Sequence, residues 1–257
     1  MRRKLFAFDI DGTLLDSNKQ ALDSTREALE KLRKAGHLVM IATGRSRFHA
    51  QEVIRDLDFT NYILCNGAAG FLDHEQVYKN LLDREQLDAF VEEAHHEQID
   101  TAFVSLDNIK RSSSNDVTVM EEAMHSFGAV LPELDQFFAE EQEIYQALAF
   151  FDQTYDGKFS SYDKIRFVRW HENSVDVVPQ NGSKAATILH LAEQVGIPHE
   201  DIISFGDGQN DREMLRMSGI GIAMGNAVPE VQAEAKMVTD TNDQDGIWKA
   251  LKELSVI

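Results

Sequence analysis

The feature that most constrains this chain is an alternation of short apolar runs with amphipathic helical patterns, found at both ends of the sequence but not in its middle. In the first part, apolar runs over residues 5–10, 37–42 and 62–65 alternate with helical patterns over 24–35 and 46–57. Near the other end, runs over 202–205 and 219–224 alternate with helical patterns over 183–195, 211–217, 229–235 and 246–254. This alternation is typical of a parallel sheet whose strands are connected by crossover helices.

The middle of the chain has a different pattern. Helical patterns over residues 84–98 and 116–127 are mixed with strand patterns over 101–106, 146–151, 165–171 and 174–178. The last two strand patterns flank a polar Glu172-Asn173 turn, which favours an antiparallel hairpin. We therefore predict an α/β domain built from residues 1–81 and 182–257, with an α+β module inserted over residues 82–181.

Composition limits the possible partners. The 257 residues carry 44 acidic and 25 basic side chains, a formal charge of −19, which argues against binding to a nucleic-acid backbone. The single Cys excludes an internal disulfide, and no apolar run approaches the roughly 20 residues of a membrane helix. We expect a soluble cytoplasmic protein with no membrane partner. The negative net charge does not exclude a small anionic ligand, because salt screens distant surface charges. A site for such a ligand must, however, supply its own cation.

Two clusters of polar residues follow predicted strands in the first part of the chain. Asp9 lies near the carboxyl end of the first predicted strand, residues 5–10, and Asp11 follows it directly, so the two would lie within about 7 Å of each other. An ordinary turn is the alternative interpretation. Two adjacent carboxylates repel each other, however, unless a divalent cation or a shared proton reduces that repulsion. Thr43, Gly44 and Arg45 follow the second run, where backbone N–H groups can cradle an anion or the hydroxyl can simply cap a helix.

Two further clusters lie in the last part of the chain. Lys184 falls in the first turn of a predicted helix, where the helix dipole disfavours a cation, although a solvated surface Lys is the common alternative. Asp207, Asn210 and Asp211 follow the strand predicted over 202–205, in a loop that could equally be a polar helix cap. All four clusters fall at one edge of the predicted sheet, and in open α/β sheets ligands bind at the carboxyl ends of the strands. That coincidence favours a functional site.

Taken in order, these clusters resemble the motifs of the haloacid dehalogenase (HAD) superfamily, in particular its Cof-like sugar-phosphatase branch. Asp9-Ile10-Asp11-Gly12-Thr13 is similar to the first motif, Thr43-Gly44-Arg45 to the second, Lys184 to the third, and the loop from Gly206 to Asp211 to the fourth. The segment Met224-Gly225-Asn226-Ala227 is also similar to that branch. The resemblance implies a Rossmannoid parallel-sheet core with an inserted cap domain.

The resemblance also implies a mechanism and a set of roles. It implies that Asp9 is the nucleophile forming an aspartyl-phosphate, and that Asp11 is the general acid and base. Mg²⁺ would be held by Asp9, Asp207 and the backbone carbonyl of Asp11. The implied phosphate-binding residues are Thr43, Gly44, Lys184 and Asn210, and Asp211 would orient Lys184 or a metal-bound water. The expected substrate is a small phosphorylated metabolite.

Other functions of the same fold stay open at this point. A phosphomutase or phosphotransferase would use the same residues, and a non-catalytic metabolite sensor would keep the binding groups. A dehalogenase needs neither Asp11 nor Asp207, and receiver domains are about half this length. Arg45 could bind a second anionic group or pair with a carboxylate, while Cys65 is interpreted as a small buried thiol. No apolar surface stripe indicates an oligomeric state.

Overall fold

The structure is a computed structural model that describes residues 2–126 and 128–257. Its strands are β1 (Leu5–Phe8), β2 (Leu38–Ala42), β3 (Asn61–Leu64), β4 (Ala69–Leu72), β5 (Glu75–Lys79), β6 (Asp100–Val104), β7 (Ile109–Arg111), β8 (Gln146–Phe150), β9 (Ile165–His171), β10 (Ser174–Pro179), β11 (Ile202–Gly206), β12 (Ile220–Ala223) and β13 (Met237–Val238). Its helices are α1 (Asp23–Lys34), α2 (Arg47–Asp56), α3 (Arg84–His96), α4 (Val117–Ser126), α5 (Phe138–Glu141), α6 (Lys184–Gln194), α7 (Arg212–Met217), α8 (Pro229–Gln232) and α9 (Gly246–Glu253).

The chain divides into two compact units, and the first comprises the chain up to Gly44, Gln51–Tyr78 and Ser183–Ile257. In the described part of this unit, eight strands form one sheet in the order β13-β12-β11-β1-β2-β3-β4-β5. The strands from β13 to β3 are parallel, whereas β4 returns antiparallel to β3. All four residues of β1 are fully buried, as expected for the central strand of a sheet covered on both faces.

Helix α6 shows why the sequence folds this way locally. Ser183 caps the helix, its hydroxyl accepting a hydrogen bond from the backbone N–H of Ala186, and Gly196 follows the helix with φ +71°. Its apolar residues Ile188 and Leu191 pack against the sheet, on a cluster that includes Leu5 and other strand residues. The helix is therefore fixed along one face of the sheet, with its first turn near the strand ends.

The second unit comprises Arg45–Ala50 and Lys79–Gly182. Its described strands form an antiparallel sheet in the order β7-β6-β8-β10-β9, with β9 and β10 joined as the predicted hairpin. Helix α3 begins at the cap residue Asp83 and packs Leu87, Phe90 and Ala94 into the core of this unit. The predicted fold class, a parallel-sheet α/β core with an α+β insertion, is confirmed.

Some details differ from the sequence-based expectations. Strands β4, β5, β7 and β13 were not predicted, and the helix predicted over 229–235 is only the short α8, Pro229–Gln232. The helix predicted over 116–127 is α4, Val117–Ser126, and Phe127 lies outside the described residues. Residues Arg45–Ala50 group with the second unit. The limits of the inserted module, predicted at residues 82 and 181, stay a prediction. No helix in the described ranges combines the length and the apolar character that crossing a membrane requires.

Candidate active site

The site lies in the first unit, where three parallel strands end at the same level. Phe8, the last residue of β1, is in register with Phe205 of β11 and with Ile41 of β2. The backbone N–H of Asp9 donates to the carbonyl of Phe205 at 3.0 Å, which continues the ladder by one residue. The residues that follow these strands, Asp9, Thr43 and Asp207, therefore emerge side by side at one edge of the sheet.

A buried lysine connects two of these strand ends. The Lys184 ammonium lies 2.6 Å from Oδ1 of Asp9 and 2.7 Å from Oδ1 of Asp211. The Lys184 side chain is only 1% exposed and the Asp211 side chain is fully buried. Burial alone would lower the pKa of Lys184, but the carboxylates of Asp211 and Asp9 outweigh it and hold that pKa above its usual value. The site therefore contains a permanent cation.

Asp211 organises the loop that follows β11. Its Oδ2 accepts hydrogen bonds from the backbone N–H groups of Asp207 and Gly208, at 3.0 and 2.9 Å. Its other oxygen, Oδ1, accepts from Lys184. With both oxygens committed, Asp211 holds the loop and the lysine in fixed positions.

Asp207 and Asp9 lie in an environment that disfavours their charged forms. Burial raises the pKa of Asp207 to about 7, with the charge of Asp211 adding to the rise and a hydrogen bond from Thr13 opposing it. Burial likewise raises the pKa of Asp9 well above its ordinary value, although Lys184 opposes that shift. Two carboxyl groups with raised pKa values in one small space indicate a site suited to a second positive charge.

The donor set fits a divalent cation with a preference for oxygen. Asp9, Asp207 and Asp211 each offer a carboxylate oxygen, and these oxygens lie within 4.8 Å of one another. Because Asp211 is already bound by Lys184 and two backbone N–H groups, Asp9 and Asp207 are the carboxylates best placed to bind a metal. In proteins, Mg²⁺ is typically bound by one or two carboxylates, which are hard oxygen donors, and water or phosphate completes its coordination.

Asp11 lies toward the mouth of the site. Its side chain is 34% exposed and its Oδ1 is 3.1 Å from the ammonium of Lys19. The loop it occupies is fixed by backbone hydrogen bonds from Leu14 to the carbonyl of Asp9 and from Leu15 to that of Ile10. Asp11 therefore sits on a rigid loop beside Asp9, and its side chain is reachable from solvent.

The predicted phosphate-binding residues are placed by neighbouring loops. Thr43 is buried at the end of β2, and its backbone N–H donates to the carbonyl of Ile63 at 3.0 Å. Asn210 donates from Nδ2 to Oδ1 of Asn66 at 3.0 Å. Direct contacts thus connect Asp9, Lys184 and Asp211, and the loop held by Asp211 carries Asp207 and Asn210.

Sequence reasoning missed three residues of this neighbourhood. Thr13 donates its hydroxyl to Oδ1 of Asp207 at 2.7 Å, Lys19 pairs with Asp11, and Asn66 accepts from Asn210. Thr13 belongs to the quoted first motif, and Asn66 begins an Asn-Gly pair directly after a predicted strand. That position, at one more strand end on the same sheet edge, was the available signal for Asn66. Lys19 had no such signal, because its contact depends on the conformation of the loop.

The raised pKa of Asp207 predicts a pH-dependent stability difference for the metal-free protein. Its pKa rises from 3.8 unfolded to about 7 folded, so the stability that its proton confers is fully present below about pH 3.8, falls as the pH rises, and is lost by about pH 7. Asp207→Asn should therefore be more stable than the wild type by up to about 4 kcal/mol at about pH 8, and by less than half of that at about pH 5.

Thermal unfolding in a chelator at both pH values measures this difference, and the exposed Asp58→Asn serves as the matched control. Added Mg²⁺ should stabilise the wild type more than the Asp207 variant. A difference between wild type and variant that is the same at both pH values contradicts the assignment.

Comparison with known proteins gives consistent matches over the full chain. The sequence profile of the haloacid dehalogenase-like hydrolases matches residues 6–251. The putative phosphatase YkrA of Bacillus subtilis is 36% identical over 257 residues, with both chains covered completely. The phosphatase BT1666 of Bacteroides thetaiotaomicron has a similar structure, with a TM-score of 0.92 at 29% identity over 99% of this chain and 96% of its own. The HAD subclass IIB sugar phosphatase BT4131 matches with a TM-score of 0.87 at 32% identity, over 99% and 100% of the two chains.

Proposed function

The chain belongs to the haloacid dehalogenase-like hydrolase family and is a phosphatase, and from that premise we propose its substrate class and mechanism. It hydrolyses small phosphorylated metabolites of the sugar-phosphate type, requires Mg²⁺, and forms an aspartyl-phosphate on Asp9. The observation that carries this proposal is the buried contact of 2.6 Å between Asp9 and the ammonium of Lys184. This contact supports the proposal, because a carboxylate able to act as the nucleophile and a buried cation lie together at one sheet edge.

In the first step, a carboxylate oxygen of Asp9 attacks the phosphorus of the ester. The bond from phosphorus to the leaving oxygen breaks as the new bond forms, and Asp11 donates its proton to that oxygen. In the second step, Asp11 accepts a proton from a water that attacks the same phosphorus, which releases inorganic phosphate and restores the Asp9 carboxylate. The exposure of Asp11, 34%, is compatible with a group that must reach both a leaving group and a water.

Phosphoryl transfer mainly requires neutralisation of the negative charge on the phosphate, and the site supplies positive charge for this from its own groups. Lys184 supplies one fixed positive charge despite the net charge of −19 on the chain. Asp9 and Asp207 would hold Mg²⁺, together with the backbone carbonyl of Asp11. When bound, Mg²⁺ supplies positive charge that keeps both carboxyl groups ionised and balances the phosphate oxygens.

The remaining site residues bind the phosphate or hold those that do. Thr43 and Gly44 follow β2, where the Thr43 hydroxyl and the backbone N–H of Gly44 can donate to phosphate oxygens, and Asn210 adds an amide from the loop after β11. Asp211 orients Lys184 through the 2.7 Å contact. The sugar-phosphate type is supported by the likeness to BT4131, a sugar phosphatase with 32% identity.

The proposal is tested by measuring phosphate release from sugar phosphates, nucleotides, pyridoxal phosphate and an aryl phosphate. We expect turnover with Mg²⁺ that is lost in a chelator and restored by adding Mg²⁺ in excess, with sugar phosphates among the best substrates. Phosphate moved to a second hydroxyl, with none released, would identify a phosphomutase. No release from any ester by folded, Mg²⁺-bound protein would favour a metabolite sensor.

A further inference from the structure

A left-handed turn follows β3 at the edge of the site. Cys65, Asn66 and Gly67 have φ of +51°, +53° and +100°, and the N–H of Ala68 closes the turn onto the carbonyl of Cys65 at 3.0 Å. Left-handed backbone costs roughly 1–2 kcal/mol for a residue with a Cβ, and strain of this kind is found where function requires it. The turn is therefore a candidate for a role in the site.

Neighbouring elements hold this turn in place. The backbone N–H of Asn66 donates to the carbonyl of Thr43 at 3.1 Å, and the carbonyl of Gly67 accepts the hydroxyl of Thr187 at 2.7 Å. Gly67 also packs against α6 so closely that a Cβ there would lie 2.2 Å from the carbonyl oxygen of Ser183. The turn thus joins the end of β2 to the first turns of α6, which carries Lys184.

The side chain of Asn66 reaches a third part of the site. It is 5% exposed, and its Oδ1 accepts a hydrogen bond of 3.0 Å from Nδ2 of Asn210. The same side chain lies against Gly44, where a Cβ would be 3.0 Å from Asn66 Oδ1. Asn66 therefore contacts two residues with proposed roles in phosphate binding, one on each side of the site.

The contact with Asn210 suggests what Asn66 does. An amide nitrogen carries two hydrogens, and binding one of them to Asn66 fixes the plane of the amide and the direction of the other. We propose that Asn66 is a positioning residue that orients Asn210 for the oxygens of the transferred phosphoryl group. This inference rests on the proposed function, because it needs a phosphate ester in the site.

The test is a double-mutant cycle on Asn66 and Asn210. Asn66→Gly keeps the left-handed backbone and removes the amide, and Asn210→Ala removes its partner. We expect Asn66→Gly to lower kcat/KM about 10–100-fold and to weaken inhibition by inorganic phosphate similarly, as expected for a misplaced hydrogen bond to a charged group. In the Asn210→Ala background the same change should have little further effect. The Mg²⁺ concentration for half-maximal activity should stay unchanged.

The controls separate positioning from folding. Asp58→Gly makes the same kind of change at an exposed left-handed residue of the same unit, φ +54°, and should leave kcat/KM unchanged. If Asn66→Gly does not fold, Asn66→Ser keeps a polar side chain too short to reach Asn210 and serves in the same cycle. Losses that add in the double variant, or a wild-type kcat/KM for the single variant, overturn the inference. If Asp9→Asn retains turnover, the proposed function fails instead.

Discussion

Replacing Asp9 by Asn is expected to lower kcat for phosphate-ester hydrolysis by at least about 10³-fold while the protein stays folded. The amide oxygen is too poor a nucleophile to attack phosphorus. The change preserves side-chain volume and removes a carboxyl group whose pKa burial raises well above its ordinary value. The variant therefore no longer bears the cost of ionising a buried acid, and it should stay folded. Steady-state phosphate release and thermal unfolding, measured on the same preparation, test both parts.

The control for that result is Asp58→Asn, the same chemical change at an exposed residue of the same unit. It should keep both activity and stability within a small factor of the wild type. Normal turnover by folded Asp9→Asn would show that another group attacks the phosphate. The assignment of the nucleophile would then be wrong.

Replacing Lys184 by Met is expected to damage both catalysis and stability. The ammonium is 2.6 Å from Asp9 and 2.7 Å from Asp211, so its loss leaves two buried carboxyl groups without their cation. Removing one partner from a buried ion pair costs about 3–5 kcal/mol of unfolding free energy. Loss of the fixed cation should lower kcat/KM by at least about 10³-fold, since charge stabilisation is most of what this site supplies. Chemical denaturation and substrate titration measure the two effects.

A second substitution separates the two effects of Lys184. Adding Asp211→Asn to Lys184→Met removes one of the unpaired carboxylates, so part of the lost stability should return while activity stays low. Lys249→Met removes an exposed lysine that pairs with Asp240 and should change neither property by much. Near-normal kcat/KM in folded Lys184→Met would contradict the proposed role of the cation.

The arrangement of the site was largely predictable because strand ends follow from apolar periodicity. Asp9, Thr43 and Asp207 each come directly after a buried parallel strand, and parallel strands bring their carboxyl ends to one edge. The placement of Lys184 in the first turn of a helix was also visible, because the pattern of α6 begins at its cap. The roles carried over from the family resemblance stay predictions until the experiments above are done.

The elements that sequence reasoning missed depend on contacts rather than on periodicity. Strands β4 and β5 meet at Asp73 and His74, whose φ values are +49° and +65°, and neither residue type signals a tight turn as clearly as glycine. Strand β5 is mostly exposed and therefore carries no apolar alternation. The contact of Asn66 was missed for a related reason, since its partner Asn210 lies 144 residues away in the sequence.

The most direct measurement of the central claim is to trap the phosphorylated enzyme. Under the proposed mechanism, Asp11→Asn lacks the base for the second step, whereas an aryl phosphate has a leaving group that needs little help from an acid. Mixing this variant with p-nitrophenyl phosphate and Mg²⁺ should release one nitrophenolate per site in a burst and then turn over slowly. After acid quenching, mass spectrometry should find one phosphoryl group on the peptide that carries Asp9. A burst with the phosphoryl group on another residue, or unslowed turnover with no burst, would contradict an aspartyl-phosphate at Asp9.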